Sequence, residues 1–212
     1  ESQLLINKLK KYSSKKVGAL MSISPKLSDL NYSRFQDWTL PFTNENAKTA
    51  MYVFTGDAYR GMNPREFSQE DVLNAQGYLR ILSGLYGVLK PLDIMQPYRL
   101  EMGTKLEYSK NVNNLYKFWG DKVTDALNEE MVKDEVLINL ASNEYFKVID
   151  PKKLNHRIVT CSFKDEKNGA YKMISFFAKF ARGLMTRFII QNKITEVEHL
   201  KAFDLERYCY NE

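Results

Sequence analysis

Asp57, Glu101, Asp121 and Glu144 fall at predicted strand ends, turns or a buried helix face, and Tyr98 and Arg99 stand just ahead of Glu101. Gathered in one cleft, such residues could do acid–base work. A carboxylate beside a developing positive charge helps to cleave a base–sugar bond. The same carboxylates could instead orient arginines that grip phosphate, or form plain structural ion pairs. Arg99 lies in a glycine- and proline-rich stretch, which predicts pairing with a carboxylate. If that pair is deeply buried, removing Arg99 should cost roughly 3–5 kcal/mol.

A second set of residues is suited to binding rather than chemistry. Ser24-Pro25-Lys26 reads as a helix start, with Ser24 as cap and Pro25 in the first turn. Free amides at such an end, together with Lys26, make a seat for phosphate. Lys152 and Lys153 share a loop after Pro151. Lys179, Arg182 and Arg187 line the acid-free face of a predicted helix, with Gly183 and Thr186 between them. Solvated helix faces normally mix signs, so this face suits either a phosphate backbone or a plain basic exterior. Arg182 and Arg187 read as exposed, so removing them should cost little stability. The formal net charge of +5 leans modestly toward an anionic partner.

Other chemistries find little support. His156 and His199 are far apart, and His156 and Cys161 point to opposite faces of a strand, so no metal set is predicted. No nucleophile elbow, P-loop or dinucleotide fingerprint is present, and no cofactor is expected. Cys161 and Cys209 are too few for a disulfide framework and read as reduced cytosolic thiols, predicting a cytoplasmic location. No apolar run approaches the length of a membrane span.

Patterning predicts the elements that hold these residues. The stretch 70–103 organises the rest. Ser68 and Asp71 form a capping box, and Val72, Ala75, Leu79 and Leu82 recur at helical spacing until Ser83-Gly84 stops the helix. The first 38 residues read as three short helices, the third turning Leu27, Leu30, Phe35 and Trp38 inward. Residues 50–54 and 136–140 read as strands. A helix is expected from Asn113 or Asn114 to about Met131, with Gly120 inside it. Residues 157–164 and 170–177 make an antiparallel hairpin around Lys167-Asn168-Gly169. A helix over 178–192 follows. The sum is one α+β domain over 1–212, with a mixed β-sheet wrapped by helices and a helical hairpin at about 13–38.

Several blocks resemble the YaaA family of bacterial peroxide-stress proteins, in the family's order. They are F-T-G-D-A-Y-R-G-M at 54–62, L-R-I-L-S-G-L-Y-G-V-L-K-P-L-D-I-M-Q-P-Y-R-L-E-M-G at 79–103, F-W-G-D at 118–121 and I-N-L-A-S-N-E-Y-F at 138–146. D-E-K-N-G at 165–169 and A-R-G-L-M-T-R-F-I-I at 181–190 complete the set. The family normally begins with a short strand that this chain starts past. Ser22-Ile23-Ser24-Pro25-Lys26 is similar to the turn of a helix-hairpin-helix motif, with serines in place of both glycines. The resemblance implies DNA binding under hydrogen peroxide, by backbone contact with little sequence specificity. The alternatives are an enzyme acting on a nucleobase or nucleotide, and an iron-handling protein with a carboxylate-only site.

Overall fold

Ser13, Ser24, Ser68 and Asn114 each turn a side-chain oxygen onto a free amide at the start of a helix. At Ser68 the capping box is complete, because the Asp71 carboxylate accepts from the Ser68 amide at 2.9 Å. The computed structural model describes residues 1–211. The fold is α+β, as the sequence predicts. Helices dominate, and the described strands form two-stranded pairs, four antiparallel and one parallel. Backbone contacts divide the chain into two units, each assembled from separate stretches.

The first unit comprises Glu1–Ala50, Arg80–Glu130 and Asn143–Leu154. Its three leading helices, Ser2–Leu9, Ser14–Met21 and Pro25–Asp37, match expectation. The inward face of the third does not. Leu27 and Leu30 are exposed, while Ser28, Asn31, Phe35 and Trp38 are buried. The two serines explain the shift. Ser28 Oγ donates to the Ser14 carbonyl of the neighbouring helix, and its small side chain fits against Gly18. Asn31 satisfies itself by donating to the Leu27 carbonyl at 2.8 Å.

The predicted helix from Asn114 to Met131 is broken in two, Leu115–Trp119 and Lys122–Glu130. Gly120 causes the break. It adopts φ 52°, ψ −125°, a conformation that side chains disfavour, so the glycine ends one helix rather than weakening a continuous one. The organising helix is also shorter than predicted, running Gln69–Tyr78. Leu79 is extended, and Ile81–Ser83 turns back to pair with Gly87–Leu89. Leu82 therefore belongs to a β-hairpin, whose strand preference overrides the helical spacing. Residues 50–54 are not a strand. Only Lys48–Thr49 pairs, with Ile94–Met95, before the chain coils into the helix Ala50–Val53.

Glu130 closes the first unit through two cations: Arg80 Nε at 2.5 Å and Lys90 Nζ at 3.4 Å. Burial alone would raise its pKa, but the two cations outweigh that and hold it below the usual carboxylate value. A depressed pKa stabilises the fold above the unfolded value of about 4.3, and that stability is lost as pH falls through the folded value. Glu130 is about one-third exposed, so screening limits the gain to about 1 kcal/mol. Glu130→Gln should lower the melting temperature by roughly 2–4 °C at pH 7, and the gap should close below about pH 4. Thermal melts at both pH values check this. An undiminished gap in acid would rule the ion pairs out.

The second unit comprises Met51–Leu79, Met131–Ser142 and Asn155–Glu212, of which Glu212 is outside the described residues. Val136–Asn139 runs parallel to Arg157–Thr160. The latter strand is shorter than predicted, and the hairpin forms beyond it, Asp165–Lys167 against Ala170–Lys172. Its turn is where the sequence puts it, at Asn168 and Gly169, both with positive φ. The long helix Ser175–Gln191 then supplies Ala178, Ala181, Leu184 and Met185 to a core shared with Phe163, Leu200, Phe203 and Tyr208.

Gly183 lies in this packing and not on the open basic face expected of it. A Cβ there would stand 1.8 Å from the Ala58 carbonyl oxygen, and one at Gly61 would stand 2.2 Å from the Phe180 carbonyl oxygen. The helices Asp57–Met62 and Ser175–Gln191 thus cross with backbones in contact, each contributing a glycine.

Candidate functional site

Tyr98, Arg99, Glu101 and Glu144, four of the six cleft candidates, gather in the first unit around the segment 98–103. That segment is pinned on two sides. At Gly84, in the turn of the Ile81–Leu89 hairpin, a Cβ would stand 2.2 Å from the Leu100 carbonyl oxygen, so only glycine allows the approach. Opposite, Glu144 Oε1 accepts from the Gly103 amide at 2.9 Å. Glu144 opens the short helix Asn143–Phe146, whose carbonyl at Glu144 accepts from the Tyr116 hydroxyl at 2.8 Å.

Arg99 Nη2 donates to Glu101 Oε1 at 2.6 Å, so the predicted pairing is present. Its burial is not as expected. The two side chains are 42% and 45% exposed, so the pair is worth about 0–1 kcal/mol and not the 3–5 kcal/mol of a buried pair. Arg99 Nε is itself covered and has no hydrogen-bond partner.

Two tyrosines complete the group. The Tyr98 hydroxyl lies 2.5 Å from the fully buried Ser83 Oγ; desolvation of the phenol raises its pKa, and the Ser83 contact offsets part of the rise. Burial pushes the Tyr145 hydroxyl up to about 12. The Glu144 and Glu101 carboxylates add to the rise, and Arg99 and the Met102 amide offset part of it. Both phenols therefore keep their protons near neutral pH and do not serve as bases there. A tyrosine proton, an arginine and two carboxylates can hold a polar or anionic ligand and place a carboxylate beside it. Tyr145 and Tyr116 are not among the residues singled out from the sequence. Nothing in their spacing marked them as partners of Glu144.

The other candidates go elsewhere. Asp57 belongs to the second unit, where it opens the helix Asp57–Met62 and pairs with Arg60 at 3.3 Å. Asp121 pairs with Lys153 at 2.5 Å, so a cleft candidate and a binding candidate neutralise each other. The Lys153 ammonium is raised in pKa by its hydrogen bond to that carboxylate.

Among the remaining binding candidates, Ser24 caps its helix by accepting from the Leu27 amide at 3.4 Å, and Lys26 beside it is exposed. Lys152 and Lys179 are exposed as well. Arg182 is half-buried, which lowers its pKa by desolvation. Arg187 does not lie on an acid-free face once the chain is folded. Glu66, from a different part of the second unit, binds its Nη2 at 2.7 Å, and the hydrogen bond and charge of Arg187 lower the Glu66 pKa. Among the described residues no three His, Cys, Asp or Glu side chains gather to hold a metal, so the iron reading gains no geometric support. No described helix is long and apolar enough to cross a membrane.

Comparison with known proteins gives one consistent result. The family described as peroxide stress protein YaaA matches residues 1–212. A UPF0246 protein of Colwellia psychrerythraea is 56% identical over 214 residues, covering 100% of this chain and 83% of the relative. One from Saccharophagus degradans is 55% identical over 213 residues, with the same coverage. Another, from Shewanella woodyi, is 52% identical over 213 residues, again covering 100% and 83%. With the match running from end to end, this chain belongs to the YaaA family of peroxide stress proteins.

Proposed function

We propose that the protein binds DNA through the phosphate backbone, with little sequence readout, as part of a peroxide-stress response. The observation that carries this reading is how the fold distributes its cations. Arg80, Lys90, Arg99, Lys153 and Arg187 are committed to carboxylates. Lys26, Lys152, Lys179 and Arg182 have no acidic partner among the described residues. Exposed lysines without partners are the groups that release counterions on meeting phosphate. Phosphate contacts carry no sequence information, so affinity should depend on salt far more than on sequence.

Anisotropy titrations of a labelled duplex at several salt concentrations test the reading. Log K should fall linearly with log salt, and Lys26→Ala and Lys179→Ala should each flatten the slope by about one contact. Lys153→Ala should change it less, because Asp121 already holds that ammonium. A full-length protein that fails to bind duplex at low salt would overturn the proposal.

The gathering of Tyr98, Arg99, Glu101, Glu144 and Tyr145 supports a second reading, an enzyme acting on a nucleobase or nucleotide. Its test is direct. Glu144→Gln and Glu101→Gln should abolish turnover of a nucleotide or damaged-base substrate while leaving salt-dependent duplex binding in place. No turnover by the wild type across such substrates would sink it.

A further inference from the structure

From Lys167 to Thr195 the chain carries no acid, and its first part is also unusually apolar for an exposed segment. Tyr171 is 63% exposed, Met173 52% and Phe176 56%, all within six residues. Lys167, Lys172 and Lys179 are interleaved with them and exposed. The hairpin that presents Tyr171 is a two-stranded ladder that pairs with no further described strand. Its two acids offset the lysines only in part. Asp165 turns inward, where the Tyr208 hydroxyl donates to it at 2.8 Å, leaving Glu166 opposite Tyr171 as the exposed one. Phe177, next to Phe176, is already covered by the Arg207 guanidinium 4.2 Å from its ring centre. Among the described residues no cation stacks on Tyr171 or Phe176, and although Phe176 meets Phe177 edge-on at 5.7 Å, both leave ring surface open to solvent.

Exposed rings spaced among lysines are the composition of a surface that takes unpaired nucleobases. The rings stack on bases, and the lysines follow the strand's phosphates. We propose that Tyr171, Met173 and Phe176, with Lys167, Lys172 and Lys179, form a contact surface for unpaired bases of a DNA strand. This rests on the nucleic-acid reading above and adds the form of DNA that this surface takes. A protein partner would also cover apolar side chains, but three exposed lysines against one exposed acid, Glu166, favour a polyanion.

The experiment compares a labelled oligothymidylate of about 20 nucleotides with a duplex of the same length, using the whole chain. Wild type should bind the single strand. Tyr171→Ala and Phe176→Ala should each weaken that binding roughly tenfold and leave duplex binding within about twofold, while Tyr171→Phe retains both. Because these side chains are largely exposed, the variants should melt like wild type. Equal losses on strand and duplex, or no loss on either, would overturn the stacking surface. Duplex binding without strand binding by wild type would overturn it too, and would leave the nucleic-acid reading intact. Binding to neither would remove both.

Discussion

Gly183→Ala will lower the melting temperature by roughly 6–12 °C, about 3 kcal/mol at the 2–4 °C per kcal/mol usual for this chain length. The new methyl would stand 1.8 Å from the Ala58 carbonyl oxygen and 2.7 Å from the Met62 amide nitrogen. These are backbone atoms of a packed helix and cannot swing aside as a side chain would. The two helices must separate, and with them the contacts of Ala178, Ala181 and Leu184 in the core of the second unit. Gly77→Ala is the contrast. It too lies in a helix, yet a Cβ there meets nothing within 4 Å. It should raise stability by about 0.5–1 kcal/mol through the unfolded state alone. Paired thermal melts of the two variants check the argument. A Gly183→Ala protein melting within about a degree of wild type would mean the helices do not cross as described.

Trp119→Ala should cost about 3–5 kcal/mol, a fall of roughly 6–20 °C. Trp119 is 4% exposed and meets Phe118 edge-on at 5.4 Å. Its Nε1 donates to the Gly84 carbonyl at 3.0 Å in a buried setting. Gly84 is also the residue against which Leu100 rests. Losing the indole therefore loosens the support of Arg99 and Glu101 as well as the core. Trp119→Phe separates the two effects. It keeps most of the apolar fill and leaves the Gly84 carbonyl unpaired, at a cost of about 1–3 kcal/mol. Chemical denaturation of both variants tests this, and a Trp119→Phe protein as stable as wild type would show that the hydrogen bond contributes nothing.

Local signals were read well from the sequence. The serine caps at 24 and 68, the Asn168-Gly169 turn and the Arg99–Glu101 pair all depend on residues within a few positions of each other. The helix break at Gly120 and the hairpin that takes Leu82 are local and went against expectation, while the other departures depended on partners distant in sequence. Leu27 and Leu30 have the right spacing for a core, but Ser28 is the residue that meets Ser14. The acid-free face of the last helix gains Glu66, and Asp121 gains Lys153. Gly183 looked like an opening for phosphate because nothing local announces Ala58. In the candidate site, Glu144 was legible as a polar residue past a strand, but its contact with Gly103 spans 41 positions. Periodicity carries no information at that range.

The interleaving of the two units has a consequence for the newborn protein. Neither is encoded by a continuous stretch, since the chain passes from one to the other after Ala50, Leu79, Glu130, Ser142 and Leu154. The three leading helices leave the ribosome early, yet the last piece of their unit ends at Leu154, 104 residues beyond Ala50. At about 5–20 residues per second, they wait roughly 5–20 s for their partners. During that time Leu5, Ile6, Leu9, Val17 and Phe35, all buried in the finished unit, have incomplete cover. The chain should therefore depend on holding chaperones during synthesis. No contiguous fragment should be soluble on its own, so gene truncation is a poor way to isolate either unit.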